Sequence, residues 1–125
     1  MKKIWAILFL VISAGLAAQS QNEWEEWQKT SCYSKIWFRL REEPRHGEQY
    51  HWKVQFRNGY NELISFNYHV ADKLQQYNIT TRRKTLNAGQ ESEEIDIYAR
   101  EADIYLLVDK VSLSPYPESF LGCDQ

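Results

Sequence analysis

Beyond residues 1–18 the chain contains no apolar run approaching the roughly 20 residues that a membrane-crossing helix needs, so no later segment is expected to span a bilayer as a helix. Only Cys32 and Cys123 are cysteine, too far apart for a Cys-x-x-Cys redox turn. The five glycines stand singly, which leaves no glycine-rich loop to cradle a phosphate. No serine sits in the Gly-x-Ser-x-Gly turn that exposes a hydrolase nucleophile. The acidic clusters Glu91, Glu93, Glu94, Asp96 and Glu23, Glu25, Glu26 lack the Asp-x-Asp-x-Asp-Gly spacing of a calcium loop. An excess of positive charge is missing too: 15 Lys and Arg against 17 Asp and Glu leave a formal charge of −2. That balance supplies solubility, not an electrostatic footprint for nucleic acid or an anionic membrane. No cofactor and no metal is expected.

What is present begins with Met1-Lys2-Lys3, an apolar run from Ile4 to Ile12, and small residues through Ala17-Ala18 before the polar Gln19-Ser20-Gln21-Asn22. These are the basic, apolar and cleavage regions of a secretory signal peptide over residues 1–18, with the Ala18-Gln19 bond as the expected cut. The cleavage region lacks a cysteine, which argues against a lipoprotein. The expected product is secreted, in the periplasm or outside the cell, with an N-terminal segment at 19–31 and one domain at 32–125. Loss of Lys2 and Lys3 makes the mature balance two charges more acidic.

Export decides how the cysteines read, because an oxidising compartment lets Cys32 and Cys123 pair and stay paired. A bond near both ends of the mature chain closes a long loop, and chain entropy then stabilises the fold by roughly 4 to 5 kcal/mol. Two free thiols, or a bond to a partner chain, are the alternatives.

The rest of the chain has period two. Ile36, Phe38 and Leu40 alternate with Lys35, Trp37 and Arg39; Tyr50, Trp52, Val54 and Phe56 alternate with His51, Lys53, Gln55 and Arg57. Each pattern predicts a strand with one buried face. Turn residues from Glu42 to Gly47 separate the two strands. A third run, Ile64, Phe66, Tyr68 and Val70, follows Asn58-Gly59. Burying both apolar sets on one face of a hairpin rules out a two-residue turn there, since strands paired one residue out of register face opposite ways. The reading predicts a longer connection with Val54 opposite Ile64 or Phe66, or else two strands in different sheets. Weaker strands follow at Ile79 to Leu86, at Glu93 to Ala99 and from Ile104. In the last of these, Ile104, Leu106 and Val108 share one parity while Val111 and Leu113 take the other, so a β-bulge near Asp109-Lys110 is predicted to bury both sets. The tail Pro115-Tyr116-Pro117 is predicted to leave the sheet. Single helical turns are conceivable only at Asn22 to Trp27 and Val70 to Tyr77. The fold class is therefore all-β, an antiparallel two-sheet sandwich of six to seven strands.

The strand Tyr50 to Arg57 with its central Trp52, and the Thr85-Leu86-Asn87-Ala88-Gly89-Gln90-Glu91-Ser92 segment, resemble those of immunoglobulin-like and fibronectin type III-like secreted β-sandwich modules. The resemblance implies an immunoglobulin-like scaffold used in adhesion, assembly or ligand binding. It departs from true immunoglobulin domains because no cysteine pair brackets Trp52.

For chemistry the chain offers His46, His51 and His69. On a long hairpin His51 and His69 would face each other outward, yet two imidazoles do not close a metal site. Arg82-Arg83-Lys84 reads as a solvated strand end, and Asn78-Ile79-Thr80 is a glycosylation sequon that matters only in a eukaryote. Aromatics whose parity or turn position sends them outward, Trp37, Tyr60 and Tyr98, are the candidate partner-binding residues, because Trp and Tyr stack on sugars and anchor interfaces. The expected function is non-enzymatic: a binding module for a protein or glycan partner at the cell surface or in the envelope. The alternatives are a small hydrolytic or metal-dependent enzyme using His51, His69 and the acidic residues, and a periplasmic inhibitor or chaperone-like factor.

Overall fold

Seven strands and no helix form among the described residues, which are 23–71 and 78–124 of a computed structural model. They are β1 (Gln28–Lys29), β2 (Ile36–His46), β3 (Gln49–Asn58), β4 (Ile64–Ala71), β5 (Asn78–Leu86), β6 (Ile95–Ala99) and β7 (Tyr105–Ser112). They pair as a four-stranded sheet, β1-β2-β3-β6, and a three-stranded sheet, β5-β4-β7, with every pairing antiparallel. The protein is the two-sheet all-β sandwich that period two predicts. The signal-peptide residues, most of the Val70 to Tyr77 stretch and the Asn78 side chain lie outside the described residues. Glu23 to Trp27 is extended, not a helical turn.

The alternating apolar residues form the core. Ile36 and Phe38 of β2, Val54 and Phe56 of β3, Ile97 of β6, and Ile64, Phe66, Tyr68 and Val70 of β4 meet between the sheets. Phe56 packs edge-on against Phe66 at 5.2 Å and tilted against Tyr68 at 5.0 Å. Each fully buried large apolar side chain contributes about 1.5–3 kcal/mol through water exclusion.

One turn departs from the sequence reading. β2 does not stop at Glu42: it continues through Pro44 to His46, the register slipping between Glu43 and His46. An irregularity of this kind tolerates a residue with no backbone donor. The reversal falls at Gly47-Glu48, where Gly47 takes φ 63°. β3 and β4 do not form a hairpin; they lie in different sheets, the second of the two arrangements their parity allows. The connection between them is pinned by Asn58, which is fully buried. Its Nδ2 donates to the carbonyls of Glu62 (2.8 Å) and Asn87 (3.0 Å), and its Oδ1 accepts from Tyr60 N–H. Gly59 N–H donates to Lys35 O at 2.7 Å.

In β7 the bulge sits where the parity change demands it. Asn67 pairs with Asp109 and Ser65 with Ser112, so β7 spends one extra residue, and Lys110 takes φ 48°. Val108 and Val111 are both buried as a result, but Leu113 is 46% exposed and Ser112 is buried instead, because β7 ends at Ser112. The tail beyond then runs back over the three-stranded sheet. Ser65 Oγ donates to Ser114 O at 2.5 Å, Ser112 Oγ to Glu118 O at 2.7 Å, and Leu121 N–H to Val111 O.

Cys32 and Cys123 are bonded, their Cα atoms 4.9 Å apart, and the adjoining backbone is held by Asp124 N–H to Cys32 O. Arg83, read as part of a solvated strand end, is a half-buried clamp within β5. It donates to Ser65 Oγ, Asn67 Oδ1 and Lys110 O, which ties all three strands of its sheet together.

Candidate functional site

The outer face of the four-stranded sheet is built by the odd-numbered residues of β2 and β3 and the even-numbered ones of β6. Register lays them out in rows: Trp37 beside Arg57, Arg39 beside Gln55, Arg41 beside Lys53 and Asp96, Glu43 beside His51 and Tyr98. The N-terminal segment runs along the free edge of β2. Glu25 N–H donates to Leu40 O at 2.8 Å, and Lys29 pairs with Trp37. This brings Trp24 and Trp27 onto the same face.

The result is one continuous stack of cations and indoles. Lys29 Nζ lies 5.4 Å from the Trp37 ring, and Arg57 sits between Trp37 (5.3 Å) and Trp27 (4.8 Å). Arg39 sits between Trp27 and Trp24, 4.6 Å from each, and Arg41 lies 4.6 Å from Trp24. Attraction between a cation and an indole face holds each member in place. Parity places Trp37 on this face; Trp24 and Trp27 stand outside the alternating runs and were not among the candidate partner-binding residues. Their Trp-x-x-Trp spacing was the available signal, although i, i+3 suggests a helix and these residues are extended.

Charge is unevenly satisfied along the stack. Arg39 donates twice to the neutral Gln55 Oε1, at 3.0 and 2.7 Å. Arg41 pairs with Glu43 (3.1 Å) and Glu94 (3.2 Å). Lys53 lies 3.8 Å from Glu94 and 3.7 Å from Asp96. Arg57 and Lys29 make no side-chain hydrogen bond or ion pair among the described residues; their only side-chain contacts of this kind are the indole faces.

At the far end of the same face, His51 Nε2 is 2.8 Å from Asp96 Oδ1, and its ring stacks on Tyr98 at 4.5 Å and 17°. That hydrogen bond, more than the nearby Lys53, holds the Asp96 carboxyl below the usual carboxylate range. Tyr98 is 38% exposed. Trp37 and Tyr98 therefore occupy one face, six positions apart along β3, or roughly 20 Å at the rise of an extended chain. Tyr60 does not join them. It packs near Leu121 with Lys35 Nζ 5.5 Å from its ring, and burial pushes its hydroxyl pKa up.

His51 and His69 are not opposed, as the long hairpin would have made them: β3 and β4 belong to different sheets, and each histidine has its own aspartate. His69 Nε2 is 2.8 Å from Asp109 Oδ1, and Nδ1 is 3.1 Å from Thr81 Oγ1, on the outer face of the three-stranded sheet. Among the described residues no three His, Cys, Asp or Glu side chains gather as a metal would require. Between β2 and β7 a groove of about 520 Å³ opens over Phe38, Leu40, Trp52, Ile104 and Leu106. No described helix is long and apolar enough to cross a membrane.

The fold and its outer face define an antiparallel β-sandwich with an aromatic-cationic sheet surface. No family model, no curated protein and no solved structure matches this chain.

Proposed function

We propose that the protein is a secreted, non-enzymatic binding module that engages a protein or glycan partner through the outer face of its four-stranded sheet. The observation that carries this reading is the stack from Lys29 through Trp37, Arg57, Trp27, Arg39 and Trp24 to Arg41 on a face turned away from the core. Tryptophan, tyrosine and arginine are the residues that dominate interface energetics, and rings held rigid lose little entropy on binding. Secretion is supported by the signal-like residues 1–18 and by the Cys32–Cys123 bond, which persists in oxidising compartments. Kinship with immunoglobulin-like modules belongs to the same proposal. It rests on two antiparallel sheets of four and three strands and on Trp52 facing inward from β3; the strand order departs from the immunoglobulin one, since β2 and β3 pair within one sheet.

A thermal-shift titration of the mature domain against a glycan panel, followed by backbone chemical-shift mapping, tests the reading. Ligands that bind only the folded state raise the melting temperature. Perturbations at Trp24, Trp27, Lys29, Trp37, Arg39, Arg41 and Arg57 are expected; perturbations centred on residues 102–107 across the groove, or elsewhere on the three-stranded sheet, would refute the assignment of this face.

One geometry favours a second reading. The chain of hydrogen-bonding contacts Thr81, His69, Asp109 places a hydroxyl, a base and an orienting carboxylate in line, the elements of an activated nucleophile. Turnover of an activated ester that is lost in both Thr81→Ala and His69→Ala would establish it.

A further inference from the structure

Resting on the assignment of that face to partner binding, we infer that Arg57, with Lys29 and the flanking Trp27 and Trp37, forms a site for a uronic-acid glycan. Every other cation in the rows of this sheet has a polar partner: Arg39 has Gln55, Arg41 has Glu43 and Glu94, and Lys53 has Glu94 and Asp96. Arg57 and Lys29 have none among the described residues and are adjacent through Trp37. The N–H donors of the Arg57 guanidinium lie in its own plane, and none of them is used in a side-chain hydrogen bond or ion pair among the described residues. That is the fork that takes a planar carboxylate through two parallel hydrogen bonds. Lys29 adds a point charge on the other side of Trp37, and pyranose C–H faces pack well on indole.

The charge surrounding the site selects a ligand with one anionic group per ring over a dense polyanion. Glu91 faces Arg57 across an isolated bridge without an ion pair to it, and the whole chain carries a formal charge of −2. A sulfated polymer or a nucleic acid strand would bring repulsion that a sparsely charged uronate chain avoids.

The probe is trigalacturonate, compared with the neutral galactose trimer, dextran sulfate and oligo-dT, each titrated calorimetrically into the mature protein at about 0.15 M salt, where long-range charge effects are screened. Trigalacturonate is expected to bind and the neutral trimer to bind at least about tenfold more weakly, the loss of a charge-assisted pair. Arg57→Ala is expected to lose binding by a similar factor, and Arg57→Lys to recover it only in part, since an ammonium keeps the charge but not the fork. Arg82→Ala, an exposed cation on the other sheet, is expected to bind as wild type. Melting curves establish that each variant is folded, and Lys29→Ala gives an independent reading should Arg57→Ala fold poorly. Equal binding by wild type and Arg57→Lys, tighter binding of dextran sulfate or oligo-dT, or no binding of trigalacturonate overturns the inference. Binding of the neutral trimer on this face, indifferent to Arg57→Lys, would overturn it while leaving the broader binding role intact.

Discussion

Asn58 Nδ2 donates a hydrogen bond to the main-chain oxygen of Asn87, 3.0 Å away and 29 residues along the chain. One buried amide therefore joins the link between β3 and β4 to the link between β5 and β6, two of the three places where the chain crosses between sheets. Replacing it with Asp leaves the shape and removes the donors, so that a carboxylate faces the oxygens of Glu62, Leu86 and Asn87. Each orphaned buried polar group costs about 1–3 kcal/mol. Asn58→Asp is expected to lower the urea midpoint sharply at neutral pH and to recover partly in acid; an unchanged midpoint would contradict the clamp.

Gly59 follows directly. A methyl group built there would lie 2.8 Å from Lys35 O and 3.4 Å from Trp37 Nε1. The carbonyl is fixed by its hydrogen bond from Gly59 N–H, so Gly59→Ala is expected to cost about 1–3 kcal/mol, as overpacking generally does. Chemical denaturation of the variant measures it, with Gly122→Ala, where nothing lies within 4 Å, as the comparison.

Reduction of Cys32–Cys123 opens a loop with a sequence separation of 91. Cys32→Ser with Cys123→Ser is expected to lose about 2–5 kcal/mol, chiefly by freeing the unfolded chain. The variant should keep its far-ultraviolet dichroism at low temperature, since Leu121 and Asp124 still hydrogen-bond to Val111 and Cys32.

Stability is expected to fall at both ends of the pH scale. Asp124 is held low by hydrogen bonds from Ser34, Asp96 by His51 and Glu93 by Lys84. A depressed carboxyl pKa stabilises the fold above its unfolded value, about 4, and that contribution is lost as pH falls through the folded value. Tyr33, Tyr60 and Tyr68 are all raised by burial, so the fold prefers their neutral forms and weakens as pH rises above about 10. Urea midpoints across pH give both limbs, and Asp124→Ala should make the acid limb shallower. An acid limb as steep as that of wild type would remove Asp124 from this account.

His51 and His69 belong to different sheets and different aspartates. The stability losses of His51→Ala and His69→Ala are therefore expected to add within about 0.5 kcal/mol in the double variant, as separated sites do. Strong non-additivity would mean that the two imidazoles share a partner.

Much of this molecule was legible from period two alone. Alternation in Ile36 to Leu40, Tyr50 to Phe56 and Ile64 to Val70 specifies which side chains enter the core, and the parity change between Val108 and Val111 located a bulge, because a strand can turn a face only by inserting a residue. The outward direction of Trp37 and Tyr98 followed from the same rule. What alternation does not carry is which strand lies beside which. Parity allowed β3 and β4 either a long hairpin or separate sheets, and the choice depended on contacts far apart in sequence, such as Asn58 with Asn87 and Gly59 with Lys35. For the same reason the partners of His51 and His69, the clamp at Arg83 and the stack over Trp27 were decided by tertiary structure alone. Each joins residues from different elements, and their distances follow from how the elements pack, not from the local pattern that builds each one.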